Sequence, residues 1–192
     1  MKELQKAEET LAGMQKNNMF IPLGSWKPIV AGAFAGMAKQ DWVVPGSRAY
    51  VAGVLRGANA QRLINPRAGA KPYKIAPSSH HPANRALHAV GIAMATKKPT
   101  LCILGSAAIA NGSFYEALNI ATLNQAPVIF LLIHQSLGTD APVSVQGANP
   151  LGVAQAFSVS TFEINDVDTV EETVRTAREQ NKPTLILVHL ER

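Results

Sequence analysis

The chain has 192 residues, a length that fits one ordinary domain with a full hydrophobic core. Apolar residues make up 47% of it and charged residues 16%, which excludes the polar, highly charged composition of a disordered chain. The formal net charge is +5, but only 6% of the residues are aromatic and no basic run reaches five residues, so we do not expect a nucleic-acid-binding protein.

Cysteine content and hydropathy exclude further classes of protein. Cys102 is the only cysteine, which excludes an internal disulfide framework and a thiolate zinc site. No apolar run approaches the roughly 18 residues of a membrane span, and residues 1–18 lack the apolar core of a signal peptide. We therefore expect a soluble, cytoplasmic protein without membrane contact. It should form a single domain over residues 1–192, in which 1–23 are a leading helix and its connection.

The first half of the chain contains two helix-like segments and a long irregular one. Residues 2–18 are rich in helix formers and place apolar residues on one face, which predicts a helix. Residues 24–40 carry small residues at helical spacing and predict a helix packed tightly against a neighbour. Residues 58–84 mix Pro, Gly, Ala and Ser without a period. Irregular segments of that length are uncommon in compact domains unless they serve a function.

In the second half, strand-like and helix-like segments alternate. Apolar runs without internal alternation predict strands buried on both faces. Asp168 is predicted to begin the last helix, with Glu171 at the capping-box position. The alternation is typical of an α/β fold with a mostly parallel sheet, helices on both faces and ligands beyond the carboxyl ends of the strands. The predicted strands cover 100–104, 127–133, 160–164 and 184–188, and the predicted helices cover 86–95, 112–124 and 168–180.

Four blocks of sequence, in order, resemble one protein family. Residues 105–119 run G-S-A-A-I-A-N-G-S-F-Y-E-A-L-N, close to the family's G-D-G-x-x-x-x-G-x-x-x-E-A-L-N. Residues 41–48 run D-W-V-V-P-G-S-R, close to D-Y-V-F-P-T-Y-R, and residues 89–95 and 183–186 match two further blocks. The chain thus resembles the thiamine-diphosphate-binding α subunit of 2-oxo acid dehydrogenases of the pyruvate and branched-chain type. The resemblance implies that family's cofactor-binding α/β fold.

The resemblance also implies a site for Mg²⁺ and the diphosphate of the cofactor at one sheet edge. In the family, an Asp after one strand and an Asn after the next hold the cation, which prefers hard oxygen ligands. Those positions carry Ser106 and Gln135 here, with His134 at a first Asn position and Leu137 where the family supplies a backbone carbonyl. Neither a hydroxyl nor an amide neutralises the cation. We therefore expect a degenerate metal site whose remnant is Ser106, Gln135 and Leu137.

Other cofactor-binding positions also depart from the family pattern. The Tyr-Arg pair that holds the diphosphate in the family is Ser47-Arg48 here, so the guanidinium remains and the phenol does not. A surface ion pair is the alternative interpretation of Arg48. Arg85 stands where the family has Gln beside the cofactor, and an arginine there would fill the site or replace a cation. The predicted cofactor-binding residues are Ser47, Arg48, Arg85, Ser106, Ala107 and Gln135.

Two functions stay open on the sequence. In the first, the chain is an α-subunit-like relative that has lost metal and cofactor binding and is not catalytic by itself. In the second, it is the active half of a two-chain enzyme that decarboxylates a 2-oxo acid or transfers an acyl or ketol unit. The chain ends at Arg192, where the family continues into a loop that closes over the cofactor, so we expect that loop to be missing. No catalytic residue is assigned.

The resemblance implies partners as well. In the family, the glutamate that activates the cofactor's pyrimidine ring belongs to a β-type partner subunit, so we expect a homo-oligomer, such a partner, or both. The small-residue segment 31–38 and the helix carrying Glu116 and Asn119 are predicted to form a tight interface.

Three other groups contain residue types that are common in active sites, but a structural role explains each of them as well. His80 and His81 are candidates for metal binding or proton transfer, although adjacent side chains in a loop tend to point apart. Cys102 is predicted to be a small core residue in mid-strand. Asp140 is predicted to cap a turn.

Overall fold

A parallel five-stranded sheet is the centre of the computed structural model, which describes residues 1–14, 21–65, 69–79, 81–135 and 149–190. The four predicted strands are confirmed, and a three-residue strand that was not predicted adds an edge. The order across the sheet is β1-β2-β3-β5-β4, and every neighbouring pair is parallel. The strands are β1 (Trp42–Val44), β2 (Thr100–Gly105), β3 (Val128–Gln135), β4 (Ser160–Ile164) and β5 (Thr184–Leu190).

Seven α-helices lie within the described residues, and none of them is long and apolar enough to cross a membrane. The predicted leading helix is confirmed over Lys2–Met14, and residues 15–20 lie outside the described part of the chain. The helices are α1 (Lys2–Met14), α2 (Lys27–Gly36), α3 (Gly46–Ala49), α4 (Asn84–Thr96), α5 (Gly112–Leu123), α6 (Pro150–Ala156) and α7 (Val170–Gln180).

The start of the last helix differs from the prediction. A 3-10 turn over Val167–Thr169 precedes α7, and the side chain of Asp166 accepts a hydrogen bond from the Asp168 amide. The capping box that was predicted from Asp168 and Glu171 is therefore wrong. Asp166 and Asp168 are both suitable caps, and only the backbone path decides which one is used.

The sheet is covered on both faces, as the alternation of strands and helices predicts. Side chains such as Ile103 and Leu131 point into one core, which they share with α1, α2 and α7. Alternate residues of the same strands, such as Cys102 and Phe130, point into a second core with α4 and α5. Both faces of β2 and β3 are therefore buried, which explains their unbroken apolar sequences. The prediction that Cys102 is a core residue is confirmed, since it is fully buried.

The small residues of α2 serve contacts inside the chain. A Cβ atom on Gly36 would lie 2.7 Å from the carbonyl oxygen of Glu171 and 2.8 Å from Cβ of Val174, both in α7. A Cβ atom on Gly32 would lie 3.3 Å from the Glu171 amide nitrogen. The two glycines thus let the backbones of α2 and α7 approach closely. Gly36 is buried against α7 and Gly32 is half-buried there, whereas Ala35 is exposed, so a subunit contact of segment 31–38 stays a prediction.

Candidate functional site

A cleft of about 350 Å³ opens at the carboxyl ends of β2 and β3. Parallel strands bring their carboxyl ends to the same edge of a sheet, so residues that follow β2 and end β3 meet there. The structure brings together around this cleft every residue that the sequence predicted for the cofactor. These are Ser47, Arg48, Arg85, Ser106, Ala107 and Gln135.

Ser106, at the position of the family's metal-binding Asp, is used to join two strand ends. Its hydroxyl accepts a hydrogen bond from the Gln135 amide at 3.1 Å and donates one to the Ile133 carbonyl oxygen at 3.4 Å. The residue is 5% exposed. The hydroxyl proton and one lone pair are therefore engaged, which leaves one lone pair of a neutral oxygen for a ligand.

The residues that line the cleft do not fit a divalent cation. Among the twelve lining residues that the structure describes, the charged ones are Arg48 and Arg85, and none is acidic. In the described ranges no group of three His, Cys, Asp or Glu side chains could hold a metal ion. Leu137, the third predicted metal ligand, lies outside the described residues. Mg²⁺ would thus meet two positive charges and no anionic ligand from the described lining.

Arg85 brings its guanidinium group into the cleft from the first turn of α4. Its buried Nε atom has no hydrogen-bond partner, and no ion pair forms between Arg85 and any of the described residues. Burial lowers the pKa of Arg85, and the neighbouring Cys102 opposes that shift. The thiol cannot act as a counter-ion at neutral pH, because burial raises the pKa of Cys102 to about 12. Arginine itself stays protonated in proteins, so none of the described residues compensates the positive charge of Arg85.

Gly46 provides the space for that guanidinium. A Cβ atom built on Gly46 would come within 2.2 Å of Nη1, 2.6 Å of Cζ and 3.0 Å of Nε of Arg85. The φ angle of Gly46 is +68°, in the left-handed region where residues other than glycine are strained. Sequence reasoning did not single out Gly46. The signal was present, because the family pattern has Thr at this position.

The second arginine of the cleft rests on an aromatic ring. The guanidinium carbon of Arg48 lies 5.0 Å from the centre of the Trp26 ring, in a cation–π contact. Among the described residues Arg48 forms no ion pair, so the alternative interpretation as a surface ion pair does not hold there. The neighbouring Ser47 hydroxyl lies 3.1 Å from that of Ser78. Trp26 and Ser78 were not predicted as part of the site.

A buried network holds the segment that carries Ser47 and Arg48. Asp41, which is 1% exposed, accepts hydrogen bonds from the Ala38 amide at 2.9 Å and from Nε of Arg178 at 2.5 Å. The guanidinium of Arg56 donates to four backbone carbonyl oxygens, among them those of Asp41 and Tyr73. Asp41, which the sequence shares with the family, and Arg56 therefore fix the loops before and beside β1.

The remaining candidates that the structure describes lie outside the cleft lining. His81 is exposed, and its Nε2 atom lies 3.4 Å from Nδ2 of Asn111, whereas His80 and Asp140 are outside the described residues. Glu116 is exposed on α5. At the ends of β3 and β5 the rings of His134 and His189 pack edge to face with their centres 5.4 Å apart. Burial and the neighbouring His189 lower the pKa of His134.

Comparison with known proteins identifies the family. Residues 27–189 match the family described as the dehydrogenase E1 component. The chain belongs to this family. Within it, the chain is 29% identical over 176 residues to the pyruvate dehydrogenase E1 component subunit alpha of Acholeplasma laidlawii, covering 81% of this chain and 51% of that protein. It is 28% identical over 188 residues to a 3-methyl-2-oxobutanoate dehydrogenase subunit alpha of Mycobacterium tuberculosis, covering 88% and 51%.

Solved structures agree on the fold of this E1 family member. It superimposes on transketolase from Campylobacter jejuni with a TM-score of 0.70 at 17% identity, over 98% of this chain and 38% of that one. A putative thiamin diphosphate-dependent enzyme from Mycobacterium smegmatis gives 0.62 at 16% identity, over 85% and 31%. The chain spans about half the length of the curated relatives it matches. Both similarities confirm the predicted α/β fold class of thiamine-diphosphate enzymes.

Proposed function

We propose that this chain is an α-subunit-like relative of the thiamine-diphosphate-dependent 2-oxo acid dehydrogenases that is impaired in metal and cofactor binding and is not catalytic by itself. The observation that carries the proposal is the charge of the cleft, whose described lining has two arginines and no carboxylate. The family's way of holding diphosphate depends on a cation that an anionic side chain neutralises in part. In this cleft that cation would be repelled rather than held.

The use of Ser106 supports the same conclusion. Its hydroxyl joins the ends of β2 and β3 by hydrogen bonds with Gln135 and Ile133. Binding a metal ion through this oxygen would weaken those hydrogen bonds. A carboxylate has two oxygens and about four acceptor sites, and it can bind metal while it also accepts an amide hydrogen bond. Replacing Asp with Ser therefore removes the charge and most of the coordination capacity together.

A second candidate function is the active half of a two-chain enzyme for 2-oxo acids. It is favoured by the gathering of six family-matched positions around one cleft at the carboxyl ends of β2 and β3. On this alternative, thiamine diphosphate binds in the cleft and supplies the electron sink for decarboxylation, while the protein orients it. Arg48, which keeps its family identity, would hold the diphosphate.

Calorimetric titration with thiamine diphosphate, with and without Mg²⁺, distinguishes the two candidates. We expect weak or undetectable binding by the unmodified chain with little Mg²⁺ dependence. The double variant Ser106→Asp/Gln135→Asn should gain Mg²⁺-dependent binding. Thr169→Asp is the matched control, because it adds the same charge to an exposed position beside β4, at the far edge of the sheet. Micromolar, strictly Mg²⁺-dependent binding by the unmodified chain would overturn the proposal and favour the enzyme subunit.

The proposal includes a partner, either a second copy of this chain or a β-type subunit. Because Gly36 is buried against α7, we place the contact surface on the exposed part of segment 31–38, around Ala35, and on α5, where Glu116 is exposed and Leu123 is 75% exposed. Light scattering at micromolar concentration should give at least the mass of a dimer. A monomer that also fails to bind a β-type subunit would contradict this part of the proposal.

A further inference from the structure

Arg85 is a cation without a counter-ion in the described part of the chain. Its Nε is buried and unpartnered, and the Cys102 thiol, which acts on it electrostatically, is neutral at physiological pH. Leaving a charged donor out of water without a partner is unfavourable. An anion in the cleft would offset the charge of the guanidinium, because guanidinium donors match the oxygens of phosphate in geometry and charge.

Two departures from the family pattern fit each other in space. The family has Thr where this chain has Gly46, and Gln where it has Arg85. The guanidinium occupies the volume that a side chain at position 46 would need, with Nη1 only 2.2 Å from a Cβ built there. The positions are 39 residues apart in sequence, so this complementarity depends on the fold. The arginine is thus accommodated by a matching change in its neighbour.

The cleft holds further groups that suit an anion with more than one phosphoryl group. Arg48 adds a second guanidinium, whose central carbon lies 5.0 Å from the centre of the Trp26 ring. Ser47 contributes a hydroxyl to the lining. Two cations and no acid among the described lining residues of a cleft of about 350 Å³ favour a ligand with several negative charges.

We propose that this cleft is a metal-independent site for diphosphate-class anions, in which the guanidinium of Arg85 takes the place of the divalent cation. The inference rests on the proposed function, because it assigns a ligand to a module that lacks a metal site. Arg48 and Arg85 approach the diphosphate from the cleft walls. No ion has to be recruited from solution, so the affinity is independent of Mg²⁺.

The test is calorimetric titration of the full chain with inorganic pyrophosphate in EDTA, in a buffer free of phosphate and sulfate. We expect saturable binding that added Mg²⁺ does not tighten. Arg85→Gln, which installs the family residue, should weaken binding about tenfold or more, since a charged hydrogen-bonding partner is lost. Lys98→Gln is the matched control: it removes one positive charge from an exposed position just before β2, at the opposite end of the strand. We expect less than a twofold effect from it.

Further measurements separate the possible outcomes. Circular dichroism establishes that Arg85→Gln is folded, and Arg48→Gln gives a second cleft variant that should also weaken binding. Orthophosphate should bind more weakly than pyrophosphate, and equal affinities would overturn the assignment to diphosphates. Absence of pyrophosphate binding in EDTA, or equal binding by Arg85→Gln and the unmodified chain, would overturn the inference while leaving the proposed function intact. Mg²⁺-dependent binding of thiamine diphosphate would instead overturn the proposed function.

Discussion

The contact between Gly46 and Arg85 can be tested by stability measurements that need no ligand. Gly46→Ala places a methyl group where the guanidinium lies, 2.2 Å from Nη1 and 2.6 Å from Cζ. It also forces alanine to a φ angle of +68°. The left-handed conformation costs about 1–2 kcal/mol for a residue with a Cβ atom. The overlap adds about 1–3 kcal/mol, a typical cost of overpacking, unless the guanidinium moves out of the cleft.

These two costs separate in a double-mutant cycle. In the Arg85→Gln background the Nη1 and Cζ atoms are gone, so only the conformational cost of Gly46→Ala should remain. We expect Gly46→Ala to lower the free energy of unfolding by about 2–5 kcal/mol in the unmodified chain but by about 1–2 kcal/mol with Arg85→Gln. The coupling energy between the two positions is then about 1–3 kcal/mol, within the range for residues in contact.

Urea denaturation followed by circular dichroism measures all four proteins of the cycle. Gly91→Ala is the matched glycine control, because Gly91 is an exposed position inside α4 and a Cβ atom there would meet no atom within 4 Å. We expect this control to be neutral or to stabilise by up to about 1 kcal/mol, since alanine favours helix. Equal destabilisation by Gly46→Ala in both backgrounds would show that Arg85 does not pack on Gly46, and the spatial complementarity would be refuted.

Three further predictions concern the sheet and its cover. Gly36→Ala should lower the free energy of unfolding by about 2–4 kcal/mol, well above Gly32→Ala, because its Cβ atom would press on the α7 backbone at 2.7 Å rather than 3.3 Å. Ser106→Ala should cost about 1–3 kcal/mol by leaving the Gln135 amide without its acceptor. Burial lowers the pKa of His134, so the unfolded chain binds its proton more readily, and stability should fall as pH drops through about 6.5. Urea denaturation measures the free energy of unfolding in each case. For His134→Gln we expect this free energy to depend less on pH.

The sheet was predictable because its central strands are buried on both faces. β2, β3 and β5 have continuous apolar sequences, and such runs predict buried strands from the local sequence alone. β1 was missed because three residues are too few to show a period, and its place depends on pairing with β2 and on the bridge between Val43 and Ile75. The cap at Asp166 was missed for a different reason: two aspartates lie two residues apart, and local sequence does not choose between them.

The site was predictable only in part. That Ser106 and Gln135 meet follows from the parallel sheet, since both lie at carboxyl ends of neighbouring strands. Which groups the Ser106 hydroxyl bonds depends on its rotamer and could not be inferred from spacing. The contacts of Arg85 with Gly46 and of Arg48 with Trp26 join distant parts of the chain, and no local pattern encodes them.

The loss of the metal ligand and the gain of Arg85 are two parts of one electrostatic change. By the resemblance, an Asp and Mg²⁺ together present a net charge of about +1 to the diphosphate, since each contributes its formal charge. One guanidinium presents the same net charge without a metal. If Arg85 stayed in place, a carboxylate introduced by Ser106→Asp would be drawn to it as a counter-ion and would be less available to Mg²⁺. Adding Arg85→Gln to Ser106→Asp/Gln135→Asn should therefore increase the Mg²⁺ dependence of thiamine diphosphate binding, as measured by calorimetry, whereas an unchanged Mg²⁺ dependence would show that Arg85 does not occupy the cation's place.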